Sequence, residues 1–226
     1  MMSIQDNSRS VLEAAAQSLG LGLSASQLDA LLAYRDLIAK WTKVYNLTAV
    51  RDPAEMMTHH LLDSLAAVVP LQQYLNKAGL GGLGQGSRLL DVGSGAGLPG
   101  VVIAICCPLI NVTCVDTVAK KAAFVKQAAL ALKLPNLIGV HERVENINQH
   151  FDVICSRAFA SLVDFTQWSV DALAPQGVWL AMKGKNPVDE ISVLPETVKV
   201  FHVEQLHVPG LDAERCIVWM KPNALV

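Results

Sequence analysis

Three alternating glycines behind a carboxylate are the residues of this sequence best suited to form a ligand site. Residues 89–100 read Leu-Leu-Asp-Val-Gly-Ser-Gly-Ala-Gly-Leu-Pro-Gly. Gly93, Gly95 and Gly97 remove alternate Cβ atoms, so the main chain can bend with positive φ and a ligand can lie almost against it. An apolar strand pattern precedes this turn and the apolar run 101–107 follows it. Strand, glycine turn and helix in this order predict a nucleotide or dinucleotide site.

The charge of Asp91, two residues before the first glycine, distinguishes between ligands. In a dinucleotide site the helix N-terminus attracts a pyrophosphate through its dipole. A carboxylate at the lip of the strand suits a diphosphate poorly and an amino-acid ammonium group well, directly or through water. S-adenosylmethionine carries such an ammonium group and no phosphate, so we predict it as the cofactor. A glycine turn that merely joins a strand to a helix is the alternative.

Two further places after predicted strands fit the same ligand. Asp116 ends the second strand, 21 residues after Gly95. A carboxylate at that place accepts hydrogen bonds from a ribose diol, although it can equally be the N-cap of the next helix. Val144 and Glu145 lie in the loop after the third strand. Ligands bind outside the carboxyl ends of the strands in an open sheet, so this loop can touch adenine, unless it is simply a solvated loop.

Basic residues follow the fourth and fifth predicted strands, at the same edge of the sheet. Arg157 comes just after the fourth strand, where a planar guanidinium can hold the methionine carboxylate or an oxygen of the acceptor. Lys183 and Lys185 follow the fifth strand and can contact phosphate. Surface charges that only aid solubility are the alternative for all three residues.

A second basic group precedes the glycine turn and consists of Lys40, Lys43, Arg51, His59 and His60. Trp41 and Tyr45 are interleaved with it, a combination that can bind RNA by stacking and charge. Aromatic residues that pack between helices, beside lysines that extend to solvent, explain the same pattern. The two histidines have no partner at metal-ligand spacing, so we predict no metal.

Length and hydropathy indicate one α/β domain with an appended element. The chain has 226 residues, of which 52% are hydrophobic, and its mean hydropathy is +0.35. Its longest apolar run, residues 98–110, contains two prolines and falls short of the roughly 20 residues that span a bilayer. Asp6 and Glu13 interrupt any signal-peptide pattern. We therefore expect a cytoplasmic protein with no membrane partner.

Charge and cysteine content exclude further classes. The net charge is −2, so RNA binding must depend on a local patch rather than on a global basic field. The five cysteines form an odd set without a Cys-x-x-Cys pair, which argues against a disulfide framework and a zinc site. Four of them lie in apolar patterns, where a thiol packs as a small hydrophobe.

A glycine-rich segment divides the chain. Residues 1–78 predict a helical extension, with helices over 8–19, 24–41 and 53–69, the last ended by Pro70. Residues 79–86 predict a flexible linker. Residues 87–226 alternate between strands (87–92, 111–115, 137–140, 151–155 and 177–182) and helices (98–107, 117–132 and 161–173). This order predicts an α/β fold whose parallel sheet is covered on both faces, and strands at 198–207 and 216–220 add an antiparallel hairpin.

Six stretches together carry a family resemblance: Trp41-x-x-x-Tyr45-Asn46-Leu47-Thr48, His60-x-x-Asp63-Ser64, residues 91–100, Ser156-Arg157-Ala158-Phe159-Ala160, Lys183-Gly184 and Pro209-Gly210-Leu211-Asp212-x-Glu214-Arg215. With them the chain resembles the RsmG family, also called GidB, from about residue 30 to its end. The glycine motif is shared by many methyltransferases, whereas Tyr-Asn-Leu-Thr and Ser-Arg-Ala-Phe-Ala are specific.

The resemblance implies a class I S-adenosylmethionine-dependent methyltransferase with a Rossmann-like, mostly parallel seven-stranded sheet, a C-terminal antiparallel hairpin and an N-terminal helical extension. The implied reaction is methylation of N7 of a guanine in the decoding region of 16S ribosomal RNA. The implied cofactor contacts are Gly93, Leu98, Val144, Glu145 and Arg157. The helical extension and Lys183 are implied to face RNA.

The implied chemistry explains why no general base is predicted. N7 of guanine keeps an available lone pair at neutral pH, so the enzyme mainly has to align nucleophile, methyl group and sulfur in line. Arg157 is predicted to orient the acceptor, because arginine readily bonds guanine O6. His59 departs from the family pattern, in which an arginine or lysine is expected, and this affects one phosphate contact.

The expected partner is 16S ribosomal RNA or the small ribosomal subunit, bound by a monomeric enzyme. A small-molecule methyltransferase fits the near-neutral charge but not the basic, aromatic extension. A ribosome- or RNA-binding protein without catalysis conflicts with the intact Asp91, glycine turn and Asp116. The carboxylate of Asp91 also disfavours an NAD-dependent oxidoreductase.

Overall fold

The computed structural model describes residues 4–79 and 86–223. Seven strands in these ranges form one sheet: β1 (Arg88–Val92), β2 (Asn111–Asp116), β3 (Leu137–His141), β4 (Phe151–Arg157), β5 (Leu173–Lys183), β6 (Val198–Leu206) and β7 (Arg215–Pro222). Their order across the sheet is β3-β2-β1-β4-β5-β7-β6. The first five strands are parallel, and β7 pairs antiparallel with both β5 and β6. The predicted parallel sheet with a C-terminal antiparallel hairpin is confirmed.

Nine α-helices accompany the sheet within the described ranges: α1 (Ile4–Ser18), α2 (Ala25–Tyr45), α3 (Pro53–Met56), α4 (Asp63–Leu65), α5 (Val68–Lys77), α6 (Gly100–Cys106), α7 (Ala119–Ala131), α8 (Leu162–Ser169) and α9 (Val188–Ser192). A π-helix, Met57–Leu62, connects α3 to α4. The short α9 was not predicted. No described helix combines the length and the apolar character needed to cross a membrane.

All three helices predicted before the sheet have different bounds in the structure, and α1 begins at Ile4 instead of residue 8. Helix α2 continues to Tyr45, beyond the predicted end near residue 41, and ends where Asn46 adopts the left-handed conformation. The predicted helix over 53–69 is broken at residues 66–67, and Pro70 lies in the first turn of α5 instead of ending a helix. Proline is tolerated there because the first N–H groups of a helix have no intrahelical acceptor. Most of the predicted linker, residues 80–85, lies outside the described residues.

The helical extension shares its hydrophobic core with one face of the sheet. Leu31 and Tyr34 of α2 are buried in the same cluster as Val101 of α6 and Phe124 of α7. All seven residues of α6 are buried, because α2 and α4 pack on the side of this helix that the sheet leaves open. The glycine turn that precedes α6 therefore lies beneath the extension.

Helix α2 begins with a capping box, and one of its residues also bonds to α6. The Ser24 hydroxyl accepts from the backbone N–H of Gln27, and the Gln27 side chain accepts from the backbone N–H of Ser24. Gln27 Nε2 also donates to the carbonyl oxygens of Ile105 and Cys106, at 3.0 and 3.1 Å. These carbonyls lie at the C-terminus of α6, where helical acceptors lack partners.

Replacement of Gln27 with alanine should lower the free energy of unfolding by about 1–2 kcal/mol, because it removes half of the capping box and the donor to α6. Gln17→Ala, at an exposed position of α1, is the matched control and should change stability by less than about 0.5 kcal/mol. Chemical denaturation measures both variants. Equal losses for the two variants would contradict the proposed double role.

Candidate cofactor and nucleic-acid site

A cavity of about 350 Å³ lies at the carboxyl ends of β1 to β4. Its wall includes Gly93, Asp116, Val144, Glu145, Phe159 and Trp168. The volume is in the range of small-molecule sites, and the position is where open parallel sheets bind ligands. Four of the predicted cofactor residues, from three separate loops, thus meet at one cavity.

Asp116 holds the glycine turn and the approach to α7 at the same time. Its Oδ2 accepts from the backbone N–H of Gly95 at 2.9 Å, and its Oδ1 accepts from the N–H of Val118 at 2.9 Å. Lys121 Nζ lies 3.7 Å from Oδ2. The N-cap of α7 is Val118, so Asp116 is not the helix N-cap that the sequence left open. Asp116 lines the cavity, and its contact to a ribose stays a prediction.

Asp91 lies beneath the turn and not at the lip of the strand, so the prediction of a place on the ligand-facing side was wrong for this structure. The carboxylate is fully buried, and its Oδ2 accepts from the backbone N–H of Gly100 at 2.9 Å, at the start of α6. Burial raises the pKa of Asp91 to about 7. Among the described residues, its Oδ1 has no hydrogen-bond partner.

The glycines of the turn have different roles, although all three adopt positive φ. Gly93 lies on the cavity wall. Gly97 and Leu98 are buried and do not line the cavity, which corrects their prediction as ligand contacts. A Cβ at Gly97 would lie 2.4 Å from Val101 Cγ2, so packing against α6 requires this glycine. Gly95 does not line the cavity, but its N–H donates to Asp116, which does.

The backbone of the turn is also held from the helical extension. The hydroxyl of Tyr34, a fully buried residue of α2, donates to the carbonyl oxygen of Ala96 at 2.5 Å. Burial raises the pKa of Tyr34 well above its usual value, so the hydroxyl keeps its proton and remains a donor.

A buried carboxylate connects an arginine at the end of β4 to an arginine at the start of β7. Asp63 Oδ2 accepts from Arg157 Nη1 at 2.7 Å, and Asp63 Oδ1 accepts from Arg215 Nε at 2.7 Å. Arg157 Nη1 also donates to the carbonyl oxygen of His59 at 2.7 Å. The side chain of Asp63 is 4% exposed and that of Arg157 is 19% exposed. These contacts fix the guanidinium of Arg157 between the sheet and the π-helix.

His60 is buried and therefore does not fit its prediction as a phosphate contact. Its Nε2 lies 2.9 Å from Thr48 Oγ1, and its Nδ1 has no partner within the described ranges. Burial, together with the positive charge of Arg157, lowers the pKa of His60 to about 4. The imidazole is neutral at pH 7 and offers no charge to RNA.

The other predicted RNA contacts differ in whether the side chain is exposed or already paired within the protein. Lys40, Lys43 and Lys185 are exposed. Arg51 is also exposed, and its Nη2 donates to Asn46 Oδ1 at 2.7 Å. Lys183 instead bonds to both oxygens of Glu190 and to the carbonyl oxygen of Ala160, so its charge is compensated within the protein. The prediction that Lys183 contacts RNA phosphate is therefore not supported by the free structure.

Of the two aromatic residues predicted to contact RNA, one is packed between helices and the other is exposed. Trp41 packs edge-on against Phe124, with ring centroids 5.3 Å apart, so it belongs to the helix packing that the sequence left as an alternative. Tyr45 contacts Trp41 but is 46% exposed. Tyr45 is thus the aromatic residue of this pair that can reach a nucleic acid.

Sequence reasoning assigned no role to several residues that the structure brings to the site. Asp63, Phe159 and Arg215 belong to the quoted motifs, but their contacts join residues far apart in the chain and leave no periodic signal. Trp168 lies on an ordinary amphipathic helix, and its only signal is an aromatic residue at the end of α8. The described residues contain no cluster of three or more potential metal ligands.

Comparisons with known proteins agree with this architecture. The GidB family model, described as "rRNA small subunit methyltransferase G", matches residues 27–218. Two proteins named "Ribosomal RNA small subunit methyltransferase G" are similar over most of their length. The protein from Polaromonas naphthalenivorans (strain CJ2) is 71% identical and covers 98% of this chain and 99% of its own. The protein from Polaromonas sp. (strain JS666 / ATCC BAA-500) is 74% identical and covers 93% and 92%.

A solved structure shows the same fold at low sequence similarity. The crystal structure of "a SAM dependent methyltransferase from Aquifex aeolicus" matches with a TM-score of 0.51 and 17% identity, over 75% of this chain and 98% of that chain. The predicted class I, Rossmann-like methyltransferase fold is thereby confirmed.

Asp91→Asn should change the pH dependence of stability. The pKa of Asp91 is about 7 in the folded protein and near 3.8 in the unfolded chain, so the folded state binds the extra proton between these values. The wild type therefore loses stability relative to Asp91→Asn as the pH rises from 4 to 7, by up to about 1.4 kcal/mol per pH unit. Denaturant unfolding at pH 5 and pH 8 measures this difference. A difference between the wild type and Asp91→Asn that does not depend on pH would contradict it.

Asp63→Asn should lower the free energy of unfolding by about 3 kcal/mol, because it leaves two half-buried guanidinium groups without their counter-charge. The matched control is Asp36→Asn, whose carboxylate pairs with Arg35 at 2.7 Å but is 60% exposed. The control should lose less than about 1 kcal/mol. Similar losses in thermal or denaturant unfolding would show that the buried pairs contribute no more than a surface pair.

Proposed function

Because this chain belongs to the GidB family, described as rRNA small subunit methyltransferase G, we propose that it transfers a methyl group from S-adenosylmethionine to N7 of a guanine in the decoding region of 16S ribosomal RNA. Family membership supports the reaction class and the substrate class. The observation that carries the cofactor assignment is the meeting of Gly93 and Asp116 at one cavity beyond β1 and β2.

The residues around this cavity fit S-adenosylmethionine chemically. Gly93 opens the main chain to a close ligand, and the carboxylate of Asp116 would accept from the ribose hydroxyls. Val144 offers an apolar surface and Glu145 polar groups for adenine. Asp91 is buried outside this cavity, where it holds the start of α6 through the N–H of Gly100.

The proposed chemistry requires positioning and no general base. S-adenosylmethionine supplies an electrophilic methyl group, which leaves a neutral thioether and takes the positive charge to the guanine, so no proton has to be removed. The residues of the chain have to hold the acceptor in line and exclude other orientations. Arg157 is the positioning residue, because Asp63 and the His59 carbonyl fix it through Nη1 while its planar fork retains other donors.

The proposed RNA-facing surface consists of the exposed Lys40, Lys43, Arg51 and Lys185, with Tyr45 as an aromatic contact. Such cations hold phosphates and the aromatic ring can stack on a base. We further propose that the enzyme acts as a monomer, without a metal, on 16S RNA or the small subunit in the cytoplasm, and that residues 1–78 form its RNA-facing cap.

The test is transfer of labelled methyl groups to small ribosomal subunits, or to naked ribosomal RNA, from a strain that lacks the enzyme. The label should map to one guanine N7. Binding of S-adenosylmethionine without transfer to RNA would contradict the substrate, and absence of cofactor binding would contradict the methyltransferase assignment as a whole. Label in a small molecule of a cell extract instead of RNA would favour a small-molecule acceptor.

Arg157→Lys tests the positioning role. Lysine keeps a positive charge beside Asp63 but lacks the planar fork, so we expect transfer to fall on the order of 100-fold while the protein remains folded. Arg9→Lys, at a surface ion pair with Asp29, is the control and should keep full activity. Wild-type transfer by the Arg157→Lys variant would reject the assigned role.

A further inference from the structure

The ring of Phe159 lies where the glycine turn would meet a ligand. A Cβ on Gly93 would be 2.2 Å from Phe159 Cδ2 and 2.8 Å from Cε2, so the ring contacts the main chain of the turn directly. Gly93 has a φ of +64° and borders the proposed cofactor cavity. A ligand placed against Gly93 and the ring of Phe159 in this position exclude each other.

Two polar atoms near the glycine turn are buried outside the cavity. Gly93, Asp116 and Val144 line the cavity, whereas Asp91 and Ser94 do not. Asp91 Oδ1 and Ser94 Oγ are buried and have no partner in the part of the chain that the structure describes. Unpaired polar atoms at such depth indicate that a ligand or water completes them. The ring of Phe159 lies against the main chain of the same turn at Gly93.

The main chain that carries Phe159 is anchored on both sides and strained between the anchors. Arg157 is held by Asp63, and the carbonyl oxygen of Ala160 accepts from Lys183 at 3.3 Å. Between them, Ala158 adopts a φ of +53°, which is unfavourable for a residue with a Cβ. A change of the main-chain torsions at Ala158, with compensating changes at its neighbours, would release this strain and move the ring.

The surroundings of the ring allow such a movement. Phe159 is half-buried, and its ring meets Phe165 and Trp168 edge-on, with centroids 6.4 and 5.9 Å away. Trp168 is itself 38% exposed. The ring thus lies at the open side of the cavity and not in the central core.

We propose that Phe159 blocks the methionine end of the cofactor cavity in the free enzyme, is displaced when the cofactor binds, and then provides the surface on which the acceptor base stacks. The inference depends on the proposed function, because it assumes a cofactor in this cavity and a nucleobase as acceptor. Phe159, which follows β4, thus couples occupation of the cofactor site to formation of the acceptor site.

Binding of S-adenosylmethionine to the enzyme without RNA, measured by titration calorimetry, tests the displacement. Phe159→Ala removes the blocking ring, so the affinity should rise about threefold or more, since no closed state competes. Phe159→Leu keeps an apolar side chain of similar reach and should bind within about twofold of the wild type. Phe201→Ala, on the outer strand β6, is the aromatic control and should bind like the wild type.

The direction in which Phe159→Ala changes the affinity for S-adenosylmethionine decides whether the proposal holds. If Phe159 were a fixed wall of the site, Phe159→Ala would bind the cofactor more weakly, and that outcome overturns the proposal while leaving the proposed function intact. Failure of the wild type to bind would instead overturn the proposed function. Circular dichroism and thermal unfolding show whether Phe159→Ala is folded. If it is not, Phe159→Val takes its place as the variant with a smaller side chain, and its affinity is compared with that of Phe159→Leu.

Single-turnover transfer at saturating cofactor tests the stacking. The transfer rates of Phe159→Ala and Phe159→Leu should both fall by at least about tenfold, because neither side chain offers a π surface to the base. Phe159→Tyr retains the ring and should restore the rate to within about threefold. Equal rates for the leucine and tyrosine variants would overturn the stacking role.

Discussion

The fold of this protein depends on one buried carboxylate. Asp63 accepts from Arg157 at the end of β4 and from Arg215 at the start of β7, so a single side chain connects the helical extension to the parallel and antiparallel parts of the sheet. A buried charge of this kind is tolerated only when it is paired. The same requirement that holds the extension in place therefore fixes the guanidinium beside the proposed acceptor position.

The extension and the sheet also depend on each other at the glycine turn. The Tyr34 hydroxyl bonds to the Ala96 carbonyl, and Asp116 accepts from the Gly95 N–H on the opposite side. The main chain of the turn is thus shaped before a ligand arrives. Leu31, Tyr34 and Val101 belong to one hydrophobic cluster, so the proposed division at residues 79–86 separates two segments of sequence that share a core.

The sequence was sufficient to predict the alternation of strands and helices, the antiparallel hairpin and the cavity residues Gly93, Asp116, Val144 and Glu145. These depend on local patterns and on the rule that ligands bind at the carboxyl ends of parallel strands. It was insufficient for side chains whose partners are remote in sequence. Asp91 is hydrogen-bonded to Gly100, His60 to Thr48 and Lys183 to Glu190. A buried or half-buried polar group takes the partner that the tertiary structure offers.

A crystal structure of the enzyme with S-adenosylhomocysteine tests the central claim most directly. We expect adenine beside Val144, the ribose on Asp116, the amino-acid end against Gly93, and the ring of Phe159 turned away from the glycine turn. A ligand bound elsewhere, or bound in this cavity with Phe159 still packed on Gly93, would contradict it.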